Sequence, residues 1–97
     1  MNKQTDINEI DMLLSKINDL RYVSPEKTIE LSLNTLQRSK ELNYELGIAA
    51  SKHMLASAYY NIGNYEEAID LVFDSLNYFI KENIYHLSAI LTPTAEK

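Results

Sequence analysis

Apolar side chains return every three to four residues along almost the whole chain, the spacing of one face of an α-helix. The first such segment carries Ile7, Ile10, Leu13, Leu14, Ile17 and Leu20, with Asp6 placed to cap it and Glu9 as a capping-box partner. A second opens on Ser24-Pro25-Glu26, which reads as a cap, a proline in the first helical position and an acid in the first turn. Its stripe is Ile29, Leu33 and Leu36, with Leu31 and Leu42 alongside. A third runs from Tyr44 to Ile62, with Ile48, Leu55, Ala58, Tyr59 and Ile62 on one side. The fourth starts at Asn64 and has the cleanest amphipathic pattern: Tyr65, Ala68, Ile69, Val72, Phe73, Leu76, Phe79 and Ile80. A fifth begins near Ile84 and is expected to stop at Thr92-Pro93, because proline disfavours helix in the residue before it and lacks an amide donor.

No window alternates apolar and polar with a period of two, so the expected fold is all-α. The connections are short, which makes successive helices antiparallel hairpins. Between the third and fourth segments stands "IGNYEE". Gly63 is positioned to end one helix in a left-handed conformation, and Asn64 to cap the next with Glu67 in support. Tyr59 and Tyr65 flank this turn and are expected to pack on each other as core.

The chain also resembles itself. Shifted by 40 residues, Leu20 falls on Tyr60, Ser24 on Asn64, Glu26 on Glu66, Ile29 on Ile69, Leu33 on Phe73 and Leu36 on Leu76. Shifted by 41 further along, Lys40-Glu41 falls on Lys81-Glu82 and Tyr44 on Tyr85. A repeating helical hairpin is the signature of an α-solenoid.

Over roughly residues 44–81 the sequence resembles the tetratricopeptide repeat (TPR). Leu55-Ala56 and Tyr59 look like the Leu-small pair and aromatic of its first helix. Gly63 and Tyr65 look like its turn glycine and the aromatic that opens its second helix. Ala68 and Ser75 look like its small residues where the two helices cross closely. The longer period resembles the variant common in bacterial signalling proteins. The first hairpin departs from the pattern, with Asp19, Val23 and Thr28 at the aromatic, glycine and alanine positions.

The expected architecture is therefore a short TPR-like α-solenoid of about five helices. A degenerate first hairpin covers 5–42, the best-matching repeat 43–82, and a truncated third repeat 83–97. What the resemblance implies is a non-catalytic protein- or peptide-binding module. It would be the sensory or scaffolding N-terminal part of a bacterial signalling protein of the diguanylate cyclase (GGDEF) or histidine kinase type. A fragment of an enzyme with its catalytic domain downstream, or a spacer without ligand, are the alternatives. By the same resemblance, Ala50, His53, Met54, Ser57, Tyr60 and Asn61 match groove-facing positions. The Lys and Asn residues with which chaperone-adaptor members hold a carboxylate are replaced by His53, Met54 and Ser57, so chaperone-tail binding is not expected.

Composition narrows the chemistry. The 97 residues carry 14 acids against 9 bases, a net charge of −5 with no basic run, which argues against binding to nucleic acid or anionic membrane. The lack of cysteine excludes disulfides, thiolate catalysis and cysteine zinc sites. No apolar run is long enough to span a membrane and no signal peptide is visible, so cytoplasm is the expected location. The two histidines, His53 and His86, have no ligand-spaced acids around them, and Glu66-Glu67 serve a helix start. No catalytic, metal or cofactor residue is expected, and the chain reads as non-enzymatic. One surface is left without a cover. Val72, Phe73, Leu76, Phe79 and Ile80, with Leu87, Ile90 and Leu91 on the unfinished third repeat, are expected to form a homodimer through the C-terminal end.

Overall fold

Turn chemistry sets the helix boundaries in the computed structural model, which describes residues 3–95 and the side chains of residues 3–83. Among the described residues there are four α-helices: α1 (Lys3–Leu20), α2 (Pro25–Glu41), α3 (Glu45–Asn61) and α4 (Tyr65–Ala95). Ser24 caps α2, its side-chain oxygen accepting from the Lys27 amide at 3.3 Å, and Pro25 occupies the first turn. Helix α3 ends in a complete left-handed motif. Gly63 has φ +88°, its amide donates to the Tyr60 carbonyl at 3.1 Å, and the Asn64 amide donates to the Tyr59 carbonyl at 2.8 Å. Helix α2 ends the same way. Asn43 has φ 54°, its amide reaches the Lys40 carbonyl at 3.1 Å, and the Tyr44 amide reaches the Ser39 carbonyl at 2.9 Å. Asparagine tolerates the left-handed region better than other side-chain-bearing residues, which is why it can stand here for glycine. Between α1 and α2 the amides of Val23 and Ser24 both donate to the Leu20 carbonyl, and Val23 needs no left-handed backbone.

Helix α3 is the centre of the molecule: it packs against α1, α2 and α4. Its buried residues are small, namely Gly47, Ala49, Ser51, Ala56 and Ala58, together with Leu55. They lie on two opposed sides of the helix, Gly47, Ser51 and Ala58 on one and Ala49 and Ala56 on the other, as the 3.6-residue turn dictates. The buried face of α2 is likewise small: Thr28, Ser32, Thr35 and Ser39, spaced as one helical stripe. A Cβ added to Gly47 would stand 2.7 Å from the Tyr44 ring and 3.0 Å from the Ser39 Cβ, with the Ser39 hydroxyl nearer still. The Ser39 side chain of α2 and the Tyr44 ring sit close against α3 here because nothing larger than hydrogen occupies position 47. Thr28 and Thr35 return their hydroxyls to the Ser24 and Leu31 carbonyls at 2.9 and 2.7 Å. The hydroxyls of Ser32, Ser39 and Ser51 are buried without a partner.

Helix α1 completes the core with Ile10 and Ile17, both fully buried. Two contacts tie it to the rest: Arg38 of α2 to Glu9 at 2.8 Å, and the Tyr44 hydroxyl donating to Asp11 at 2.7 Å. Burial, then the hydrogen bond to Asp11 and its charge, push the Tyr44 pKa up to about 12. Lys52 of α3 reaches Asp74 of α4 at 3.3 Å. Ala68 and Ser75 form the buried side of α4, as their small size leads one to expect at a helix crossing.

Among the described residues there are four helices rather than about five, because α4 runs through residues 81–84 and past Thr92-Pro93 to Ala95. In the 41-residue register, Asn43, which opens the α2–α3 turn, falls on Ile84, a β-branched residue that resists a left-handed backbone and lets the helix continue. The described helix includes Pro93 and reaches Ala95. Asp6 is not a cap, since α1 has already begun at Lys3. Leu33 is exposed, because the inward stripe of α2 is the small one. Ile62 and Tyr65 are exposed as well, and the tyrosine pair across the turn is Tyr60–Tyr65, with centroids 5.3 Å apart, rather than Tyr59–Tyr65.

The two glycines should fail differently. At Gly63 an added Cβ meets nothing within 4 Å, so Gly63→Val costs backbone strain alone, on the order of 1 kcal/mol or more. Gly47→Ala forces α2 and α3 apart and should cost roughly 1–3 kcal/mol by overpacking. Urea denaturation measures both. A neutral Gly47→Ala would contradict the close approach.

Candidate functional site

With small residues inside, the large apolar side chains of α4 are left outside. Tyr65, Ile69, Val72, Phe73, Leu76 and Ile80 are all exposed, Phe73 at 61%. They share one stripe, at spacings of three, four, seven and eight residues, flanked on one side by the buried Ala68 and Ser75. Phe79, half-buried, packs edge-on against Tyr78 at 5.3 Å.

The N-terminal part of this stripe forms one wall of an open groove of about 640 Å³. Tyr65, Ala68, Ile69, Val72 and Phe73 come from α4; His53, Ala56, Ser57 and Tyr60 from α3; Arg21 and Tyr22 from the α1–α2 turn. The tilted Tyr60–Tyr65 pair is part of the lining, with Tyr60 itself 64% exposed.

Arg21 is the cation of this site. Its Nη1 lies 3.4 Å from His53 Nε2 and 3.9 Å from the Met54 sulfur. Its guanidinium carbon sits 4.8 Å from the Tyr22 ring centroid, a cation–π distance. Its backbone carbonyl accepts from Asn61 Nδ2 at 3.2 Å. His53 is exposed overall, yet partial burial of the ring and then the Arg21 charge hold its pKa below the ordinary 6.5. It is therefore neutral near pH 7, with a ring nitrogen able to accept from Arg21.

Of the groove residues expected from sequence, His53, Ser57 and Tyr60 line the site. Met54 and Asn61 hold Arg21 from behind. Ala50 is half-buried and is not among the lining residues. Val72 and Phe73, expected at a dimer contact, belong to the groove wall, while Leu76 and Ile80 continue the exposed stripe beyond it. Leu87, Ile90 and Leu91 lie outside the described side chains. Arg21 and Tyr22 escaped the sequence reading, because a turn has no periodicity to mark which of its side chains point inward. One signal was available. Arg21 falls on Asn61 under the 40-residue shift, and these two positions touch.

Among the described residues no group of three His, Cys, Asp or Glu is placed to hold a metal ion. Among the same residues no helix is long and apolar enough to cross a membrane. No protein-family model, curated protein or solved structure matches the chain.

The His53 geometry fixes a pH dependence. Its depressed pKa makes the unfolded chain the better proton binder, so its contribution to stability is full above the unfolded value of 6.5 and is lost as pH falls below it. In an NMR titration the His53 midpoint should lie below 6.5 and move upward, without full recovery, in Arg21→Gln. A wild-type midpoint at or above 6.5 would contradict the contact.

Proposed function

We propose that this chain is a non-catalytic, cytoplasmic protein- or peptide-binding module of the TPR type, the sensory or scaffolding part of a larger bacterial signalling protein. The observation that supports binding is the groove itself. It is apolar along α4, polar along α3, and open to solvent. Isolated exposed apolar residues are ordinary, but a contiguous patch rimmed by polar groups is the usual mark of an interaction surface. The 40-residue shift and the Arg21–Asn61 contact between shift-related positions are what favour a repeat architecture. Short peptides selected from a random displayed library should bind the wild-type chain. Phe73→Glu should weaken them by tenfold or more, about 1.4 kcal/mol. Equal binding by Phe73→Glu, or no enrichment at all, would overturn the reading.

A second reading concerns the stripe beyond the groove, and it rests on length. Helix α4 has 31 residues against 17 in α3, its one neighbour among the described residues. At 1.5 Å per residue it outruns that neighbour by roughly 20 Å. An unsupported helical segment of that size is marginal in water. We propose that a second copy covers this end as a two-fold dimer, through Leu76, Ile80 and the residues after them, leaving the groove open. Light scattering across concentration should give the mass of two chains, and Ile80→Glu should return it to one. A wild-type monomer at ~100 μM would contradict the dimer.

A further inference from the structure

The groove has a charge that the rest of the molecule does not answer. Among the described residues the ion pairs are Arg38–Glu9 and Lys52–Asp74, and Arg21 joins neither. Its side-chain partners are all neutral: an imidazole nitrogen, a thioether sulfur and the face of a tyrosine. Its Nε is buried with no hydrogen-bond partner. A guanidinium offers five N–H donors, and weak acceptors leave most of that capacity unused. A partly desolvated cation whose partners are all neutral is costly until an anion meets one of the donors that Nε and the neutral contacts leave over. This one is held in place: Asn61 fixes its backbone, and His53, Met54 and Tyr22 fix its head. It stands at the edge of an apolar concavity in a chain of net charge −5.

The kind of anion follows from the number of cations. Arg21 is the one Lys or Arg among the groove-lining residues. A phosphate dianion is generally held by a cluster of cations, whereas a single guanidinium edge matches a carboxylate with paired N–H···O bonds. We propose that the segment this groove receives is apolar with an aspartate or glutamate on its flank. The apolar side chains lie against Ile69, Val72 and Phe73, and the carboxylate pairs with Arg21. This rests on the peptide-binding reading of the groove.

The test compares short random peptides displayed on phage and selected on wild type, on Arg21→Glu and on Arg21→Lys, after thermal melts establish that each variant folds. Wild-type selections should share apolar anchors with an acid at a fixed offset. A synthetic wild-type-selected peptide should lose about tenfold or more in affinity when its acid becomes the amide, the size of one lost charge-assisted contact. On Arg21→Glu the acid position should turn to Lys or Arg, and Arg21→Lys should keep the acid with weaker binding. Should Arg21→Glu fail to fold, the acid-to-amide peptide on wild type still decides. Selections with no acidic position, unchanged affinity for the amide peptide, or tighter binding of a phosphoserine peptide than its glutamate equivalent would overturn the proposal. Those results would leave the groove reading standing if Phe73→Glu still abolished binding. A library that enriches nothing on wild type would overturn both.

Discussion

The approach of α2 to α3 at Ser39 and Gly47 is the constraint from which the rest of this structure follows. Position 47 cannot hold even a methyl group without pushing on Ser39 and the Tyr44 ring. Two helices that meet this closely must line their contact with small side chains, and Thr28, Ser32, Thr35, Ser39, Ser51 and Ala58 do so. Since α3 is clasped on its opposite side by α4, Ala49, Ala56, Ala68 and Ser75 are small for the same reason. A core built of small residues buries little apolar area per residue. Ile10, Ile17 and Leu55 supply the large buried side chains. The consequence is spatial: the bulky apolar residues of α4 have no interior to enter and remain on the surface beside the α1–α2 turn.

How much of this the sequence announced depends on whether local chemistry or tertiary packing made the decision. Ser24-Pro25 and Gly63 act locally, and the helix boundaries they mark stand where expected. Ala68 was legible through the resemblance to the repeat, in which a small residue at this position marks a close crossing, and it is buried here. Leu33 was misread for the opposite reason. Its stripe is the more apolar one, but the distance between α2 and α3 selects for size rather than hydropathy, and Leu33 is turned outward at 48% exposure. Tyr59 and Tyr60 were interchanged since adjacent residues on a helix lie 100° apart, and only the position of α4 decides which of them meets Tyr65. The continuity of α4 turned on Ile84 in place of a glycine or asparagine, a negative signal that a repeat offset overrides too easily.

The groove was half legible. His53, Ser57 and Tyr60 match groove-facing positions of the repeat that the sequence resembles, whereas Arg21 comes from a turn and enters only because the first hairpin stacks beside the second. That addition changes the chemistry of the site. Without Arg21 the concavity is an apolar surface with a polar rim. With it, the site holds one fixed cation whose contacts are neutral and whose Nε is unmet. In the proposed complex, Phe73 and its neighbours supply binding energy through buried area, and Arg21 penalises any partner that leaves it desolvated and unpaired.

The central claim is that small residues fill the core while the apolar stripe of α4 faces water in the folded monomer. Methyl NMR with a soluble gadolinium chelate reads this directly, since relaxation enhancement falls steeply with depth below the surface. In dilute samples the methyls of Ile69, Val72, Leu76 and Ile80 should be strongly broadened, and those of Ile10, Ile17 and Leu55 protected. Methyls on the α4 stripe as protected at high dilution as those of Ile10 would contradict the account, because that face would then be buried within its own chain.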